Sequence, residues 1–296
     1  GYYRADIGLW AGSTTTWAKE ATLGNAAVST NPQTASVQGH LKRLGNTFVA
    51  HLLNGATGGS LIRLYTSTDG TTWAVAGTAA SGVSAGQVAY ASPDEPGPII
   101  NIGATWIITY WDDSAGAIIV YKSTDSGANV TQIDSVPSAG PPLGLTMWRD
   151  EAENDRVWMR TRENYGYIDE AATASAYIPV VQTPGQSSTA YGIEAWNGVL
   201  YAPNMEGLDR CFYSGAALVV DSVGLNMGVG LLAARQGHIT RMARSNRWLF
   251  VAYGGLAASK TAGCFALDNK GRWHHITKYG TANQRIVAMA VSSNDD

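Results

Sequence analysis

Few side chains in this chain combine a type and a spacing that could do chemistry, and most of those are carboxylates. Asp112 and Asp113 are adjacent in "WDDSAG", and Asp150, Glu151, Glu153 and Asp155 crowd into "RDEAENDR". Paired carboxylates serve acid–base catalysis or hold Ca²⁺. The run "GVSAG" (82–86) spells the Gly-x-Ser-x-Gly nucleophile elbow. That elbow works only on a sharp strand-to-helix turn, and no helical pattern follows it here. It reads as a loop. His274 and His275 are consecutive; on a strand they point to opposite faces and cannot chelate one ion together. Cys211 and Cys264 lack metal-ligand spacing, and each precedes a Phe at matching places in its surroundings. They are expected to be free thiols. The sequon Asn129-Val130-Thr131 matters only in a eukaryotic secretory protein. From these residues no catalytic set, no metal site and no cofactor is assigned.

The elements that position these residues are short β-like runs that recur along the chain. One group reads "NTFVAHLL" (46–53), "ATWIITYW" (104–111), "DRVWMRTR" (155–162), "NGVLYAPN" (197–204) and "NRWLFVAY" (246–253). A second group precedes it by a short turn, as in "GPIINIG" (97–103) and "LGLTMWRD" (143–150), and a third follows, as in "AIIVYKST" (117–124). A ragged fourth comes after the next turn, as in "TTWAVAG" (71–77). Runs rich in aromatic and β-branched residues, joined by Gly/Asn/Asp/Ser turns, are antiparallel strands.

Four strands per unit of about 40–55 residues predict an all-β fold, a β-propeller. The reading places blades at 37–78, 97–136, 143–181, 191–225 and 238–280, in one domain spanning 1–296. A sixth blade is expected from 284–296 joined to 1–22, so that both termini close the disc and remove exposed sheet edges.

Composition narrows the function classes. Apolar residues make up 45% of the 296, enough for a large core, whereas charged residues are 15%, against roughly 25% in a typical soluble chain. The surface must be covered by Ser, Thr, Asn, Gln and Gly, which suits a virion or extracellular location. A net charge of −3 without a basic run leaves no footprint for nucleic acid. No apolar stretch approaches the roughly 18 residues of a spanning helix, so no membrane partner is expected.

The turn "STDGTTW" (67–73) returns as "STDSGANV" (123–130), with "AGSTTTW" (11–17) as a weaker copy. These resemble the Asp-box, the Ser-x-Asp-x-Gly-x-Thr-Trp turn of BNR or sialidase-like propellers. Ser67, Asp69, Gly70 and Trp73 fill its parts, and Ser123, Asp125 and Gly127 fill them again, with Val130 where the aromatic stands. The resemblance implies a structural role at the disc's periphery: a side-chain oxygen accepts backbone N–H groups, Gly supplies positive φ, and Trp73 plugs the space between blades. A sialidase would also need an Arg-Ile-Pro motif, which is absent, and three arginines gripping a carboxylate. Arg4, Arg43, Arg63, Arg149 and Arg241 carry no mark of such a clamp.

Ligand contact is expected at the loops after the second strands: Trp111, Asp112 and Asp113; Glu163, Asn164 and Tyr165; Asn204 and Glu206; and "GGLAASK" (254–260). Carboxylates and amides there would bond sugar hydroxyls, with Trp111 and Tyr165 stacking on ring faces. The Ser/Thr/Gly/Ala-rich texture resembles propeller domains in virion proteins of tailed phages. The expected function is therefore a non-enzymatic recognition and structural propeller of a tail, virion or cell surface. Its expected partners are other virion or surface proteins and glycans. The alternative is a secreted sialidase-like glycoside hydrolase.

Overall fold

Short apolar runs between turn residues fold here into antiparallel meanders. The structure is a computed structural model that describes residues 39–56, 59–76, 87–88, 95–112, 115–149, 154–161, 164–168, 175–179, 192–203, 207–214, 217–224, 238–254, 262–279, 289 and 291. The first sheet runs β1 (Gly39–Leu44), β2 (Thr47–Ala56), β3 (Gly59–Ser67) and β4 (Ala74–Val75), with β5 (Gln87–Val88) also paired to β3. The second is β6 (Glu95–Ile102), β7 (Thr105–Asp112), β8 (Ala117–Ser123) and β9 (Thr131–Pro137). The third is β10 (Gly144–Arg149), β11 (Asp155–Arg160), β12 (Asn164–Ile168) and β13 (Ser175–Pro179). The fourth is β14 (Glu194–Trp196), β15 (Val199–Pro203), β16 (Gly207–Ser214) and β17 (Ala217–Gly224). The fifth is β18 (His238–Arg244), β19 (Trp248–Gly254), β20 (Ala262–Asp268) and β21 (Trp273–Tyr279).

Apart from β5, each sheet pairs its strands in chain order, all antiparallel. Among the described residues there is no helix, and so none long and apolar enough to cross a membrane. The sixth blade expected from 1–22 and 284–296 lies outside the described residues.

The sheets stack face to face in sequence order. β7 shows why. Its residues Trp106 and Ile108 are buried with Val49 and Leu64 of the first sheet, while Ile107 and Trp111 are buried with Leu145, Val157 and Met159 of the third. Successive strand residues point to opposite faces, so a strand covered on both sides must be apolar throughout. Two further cores repeat the scheme. Trp158 and Tyr165 pack with Leu200 and Cys211 between the third and fourth sheets, and Tyr201 and Leu208 pack with Val251 and Phe265 between the fourth and fifth. Each such buried side chain contributes about 1.5–3 kcal/mol. The outer strands are wetter, with β9 and β4 half or fully exposed along most of their length. Stacked four-stranded meanders of this kind are the architecture of propeller blades.

The first strands hold the inner end of the stack. β6 touches both β1 and β10, β10 touches β14, and β14 touches β18. Indole N–H groups tie them across sheets: Trp148 Nε1 donates to the carbonyl of Gly198 at 3.0 Å, and Trp196 Nε1 donates to that of Ser245 at 3.0 Å. In both cases the acceptor lies in the next sheet's first hairpin turn. The backbones approach so closely that side chains are excluded. A Cβ on Gly97 would stand 2.4 Å from Thr109 Oγ1 and 2.5 Å from Pro142 Cγ, and one on Gly144 would stand 3.0 Å from the backbone of Gly192.

Gly97→Ala is therefore expected to destabilise the fold by about 2–3 kcal/mol through overpacking. Gly45→Ala, which meets open space but sits at φ 60°, should cost only about 1–2 kcal/mol of backbone strain. Urea unfolding of the two variants checks the order, and equal costs would refute crowding at Gly97.

Candidate functional site

Polar side chains gather where the first strands converge. His40 and Lys42 come from β1, Thr146 from β10, Glu194 from β14, and Arg241 and Arg244 from β18. Their charges act on one another across the stack. Lys42 feels both Glu194 and Arg244, and His40 feels Arg241. Lys42 of β1 thus lies within electrostatic reach of Glu194 on β14 and Arg244 on β18. Arg244 Nε lies 3.6 Å from Glu194 Oε2, and its Nη1 donates to the carbonyl of Ala195. Thr146 Oγ1 accepts the N–H of Ala195 at 3.3 Å and its hydroxyl bonds the Glu194 carboxylate.

Desolvation is the leading influence on three members of this set. Desolvation raises the Glu194 carboxyl from 4.5 to about 7, even though Arg244, Lys42 and the Thr146 bond all favour the carboxylate. Desolvation also lowers the Lys42 ammonium, although its side chain is exposed. His40 is driven down to about 3 by desolvation and then by His51 and Arg241, so it stays neutral. His51, fully buried, donates from Nδ1 to the carbonyl of Gly97 at 2.9 Å, and burial lowers it to about 4.

The loop residues expected to meet a ligand are placed less uniformly. Asp112 ends β7, and its Oδ1 accepts the N–H of Ala115 at 3.0 Å, closing the turn to β8. Asn164 starts β12, and its N–H donates to Thr161 Oγ1 at 2.9 Å. Asp113, Glu163, Asn204, Glu206 and the stretches 82–86 and 255–260 lie outside the described residues. Trp111 and Tyr165 correct the sequence reading. Trp111 is 8% exposed and Tyr165 1%, so neither ring offers a face for stacking on sugar. Both are core, because β7 runs past Trp111 to Asp112 and β12 begins before Tyr165. Burial also raises the Tyr165 phenol far above its ordinary value.

Arg160 ties the end of β11 to the end of β15. It is fully buried between the third and fourth sheets; its Nε donates to the carbonyl of Pro203 at 3.1 Å and its Nη1 to that of Thr161. One guanidinium thus clamps the end of β11 beside the end of β15, where the 162–163 and 204–206 stretches begin. The expected hairpin tip at 150–155 shows one ion pair, Arg149 Nε to Asp155 Oδ1 at 2.8 Å.

The outer turns are occupied with their own backbone. Ser67 Oγ accepts the N–H of Gly70 at 2.8 Å, and Asp69 Oδ1 accepts those of Thr71 and Thr72 at 2.8 and 2.7 Å. In the second sheet Ser123 Oγ accepts Gly127 at 2.8 Å and Asp125 Oδ1 accepts Asn129 at 2.8 Å. That turn's extra residue is Ser126, accommodated at φ 61°. These N–H donors, Thr72 foremost for Asp69 and Asn129 for Asp125, hold both carboxyls well below the ordinary carboxylate value.

Trp73 differs from expectation. It is half-buried, and its Nε1 donates to Gly70 within its own turn at 2.9 Å. The contact between blades is made instead by Val130, packed on the first core, and by Gly127, whose Cβ would stand 3.3 Å from Ala76.

The fifth sheet carries a third such turn that the sequence reading missed. Asp268 faces Trp248 across the ladder as Ser67 faces Phe48 and Ser123 faces Trp106. Its carboxylate accepts the N–H of Lys270 and of Arg272, at 2.9 and 2.8 Å, with Gly271 at φ 78°. Desolvation works against this carboxylate, but the bonds from His274 and Arg272 outweigh it and keep its pKa low. The signal was present as "DNKGRW" (268–273), with the acid moved to the serine's place. His274 and His275 do have partners, on opposite faces: Asp268 at 2.9 Å and the Tyr253 hydroxyl at 3.0 Å. Cys211 and Cys264 are both free and buried, as expected from their places in separate sheets, and burial pushes the thiols up to about 12 and about 11.

Fold and site together define an all-β protein of stacked antiparallel sheets with polar residues gathered on their first strands. No family model matches the chain, and no curated protein matches it. Among solved structures it is similar to the α-L-arabinanase of Penicillium chrysogenum complexed with arabinobiose, at 15% identity over 79% of this chain and 77% of that one, TM-score 0.44. It is similar to YCF48 from Cyanidioschyzon merolae at 12% identity over 78% of each chain, TM-score 0.41. It is also similar to the exo-β-1,3-galactanase of Phanerochaete chrysosporium with β-1,3-galactotriose, at 11% identity over 86% of this chain and 66% of that one, TM-score 0.41. These likenesses are too distant to carry a function to this chain.

Two outcomes test the site. Trp73→Ala should cost about 1–3 kcal/mol, less than the 3–5 kcal/mol of a fully buried Trp, because the indole covers only its own turn; denaturant unfolding measures it. For Glu194 the folded pKa lies above the unfolded one, so the folded state binds the extra proton between about pH 4.5 and 7. Its contribution is complete below about 4.5 and is lost as pH rises through about 7, a fall of about 2–3 kcal/mol. The same pH series on Glu194→Gln should lack that fall.

Proposed function

We propose that the chain is a non-enzymatic recognition propeller of six blades, closed by 284–296 and 1–22, that holds a glycan at a virion or cell surface. The observation that carries this reading is the division of labour among polar groups. The outer-turn residues Ser67, Asp69, Ser123, Asp125 and Asp268 are engaged with their own backbones. On this reading the ligand meets the loops that follow the second strands instead. The buried Arg160 supports two of those loops as a rigid base, which lowers the ordering cost of binding. Asp112, Asp113, Glu163, Asn164, Asn204 and Glu206 are the residues proposed to bond sugar hydroxyls. The turns are Asp-box-like on this reading and serve the scaffold.

A glycoside hydrolase is the second reading, and Glu194 favours it. A carboxyl held at about 7 suits a general acid. Glycoside hydrolysis canonically uses a second carboxylate, whereas the described groups acting on Glu194 are Arg244, Lys42 and Thr146. Recognition is therefore preferred.

A glycan array run beside a panel of chromogenic glycosides separates the two. Binding to one glycan class is expected, lost in the Asp112→Ala, Asp113→Ala, Glu206→Ala triple variant at an unchanged melting temperature. Hydrolysis of any glycoside that disappears in Glu194→Gln would overturn the reading.

A further inference from the structure

Strand β6 opens on a segment that cannot pair in the ordinary way. Pro96 and Pro98 carry no N–H, and the register of β6 on β7 breaks between Pro96 and Ile99. Side chains take the carbonyls that this break leaves. Thr109 Oγ1 of β7 donates to Pro98 at 2.8 Å, and His51 Nδ1 of β2 donates to Gly97 at 2.9 Å. The second of these bonds crosses from the first sheet to the second. His51 is fully buried, and its other ring nitrogen, Nε2, has no partner among the described residues. Strand register sets His40 directly opposite His51, so the two imidazoles share one face with Cβ atoms about 4.5–5.5 Å apart.

With the proton on Nδ1, neutral His51 leaves only a lone pair unmet. Protonation would add a second N–H and a full charge at Nε2, buried where nothing accepts it. A second imidazolium at His40 would repel the first. We propose that His51, with His40 beside it, is an acid-released latch between the first and second sheets. It holds β2 against β6 while both rings are neutral, and acidification loosens that seam ahead of the rest of the stack. The charged groups facing the pair are Lys42 on β1 and Arg241 on β18, cations that oppose charge at His40. β3 sets Leu64 opposite His51, and β6 and β7 present the Pro96–Pro98 backbone and the Thr109 hydroxyl. The Pro96 and Gly97 carbonyls favour the cations, but burial outweighs them and holds His40 at about 3 and His51 at about 4. Both lie below the ordinary histidine value of about 6.5. The latch is therefore complete above about pH 6.5 and weakens as pH falls toward about 4, because the opened seam takes up the protons. This device does not depend on the loops carrying a glycan.

The test is hydrogen exchange of the whole chain at about pH 7 and about pH 4.5, read by mass spectrometry and corrected for intrinsic exchange rates. Opening of β1, β2 and β6 should rise about fiftyfold or more at the lower pH, from the His51 shift alone. Protection of β19 and β20 in the fifth sheet should change far less. The double variant His40→Gln, His51→Asn keeps a donor for the Gly97 carbonyl and cannot titrate, so its first sheet should keep most of its protection. Where that variant does not fold, the parent's own His51 ring signal decides by NMR. It should stay in the neutral form to below about pH 5. The proposal is overturned by a loss of protection spread evenly over all sheets, by an equal loss in the double variant, or by a His51 midpoint near the ordinary value of about 6.5.

Discussion

Everything else in this molecule depends on how closely its first strands approach one another. Four-stranded sheets can stack in a curling row only if their inner strands come closer than their outer ones. Side chains at the point of closest approach must then vanish. Gly97, Gly144 and Gly192 occupy those places, and Met242, Thr109 and Pro142 fill the space a Cβ would need. The indole bonds from Trp148 and Trp196 fix the same approach from the other end of the strands, each reaching one sheet onward. On the second strands Trp106, Trp158 and Tyr253 fill the cores between sheets.

That convergence also explains the electrostatics. Polar side chains on inner strands have nowhere to go but the shared space, so groups distant in sequence meet there. His40 and Glu194 are held in their neutral or half-neutral forms by the surrounding protein, whereas Asp69, Asp125 and Asp268 at the periphery are held ionised by N–H donors. The same residue class is thus tuned in opposite directions at the two ends of a blade. Desolvation governs the inner end and hydrogen bonding the outer. A scaffold with a quiet rim and a responsive axis results.

The strands were legible in the sequence because each is a local pattern: an apolar run with a turn residue on either side. The described strands coincide with such runs for that reason. Gly39 and Gly144 open β1 and β10, and Gly97 lies near the start of β6. Trp111 and Tyr165 were misplaced because an aromatic at a strand end looks the same whether the strand stops before or after it. Asp268 escaped notice because its carboxylate does from one position what Ser67 and Asp69 do from two. The axial set was illegible for a deeper reason. Lys42, Glu194 and Arg244 are single polar residues in three separate strands, and only the curl of the stack makes them neighbours.

The central claim, that β1 and β14 bring Lys42 and Glu194 into one space, is tested most directly by the Glu194 titration followed by ¹³C NMR. Lys42 lies far away in sequence yet lowers the Glu194 pKa in this arrangement. Replacing Lys42 with Gln should move the Glu194 midpoint upward from about 7. An unchanged midpoint in a protein that still folds would mean the two strands do not share that space.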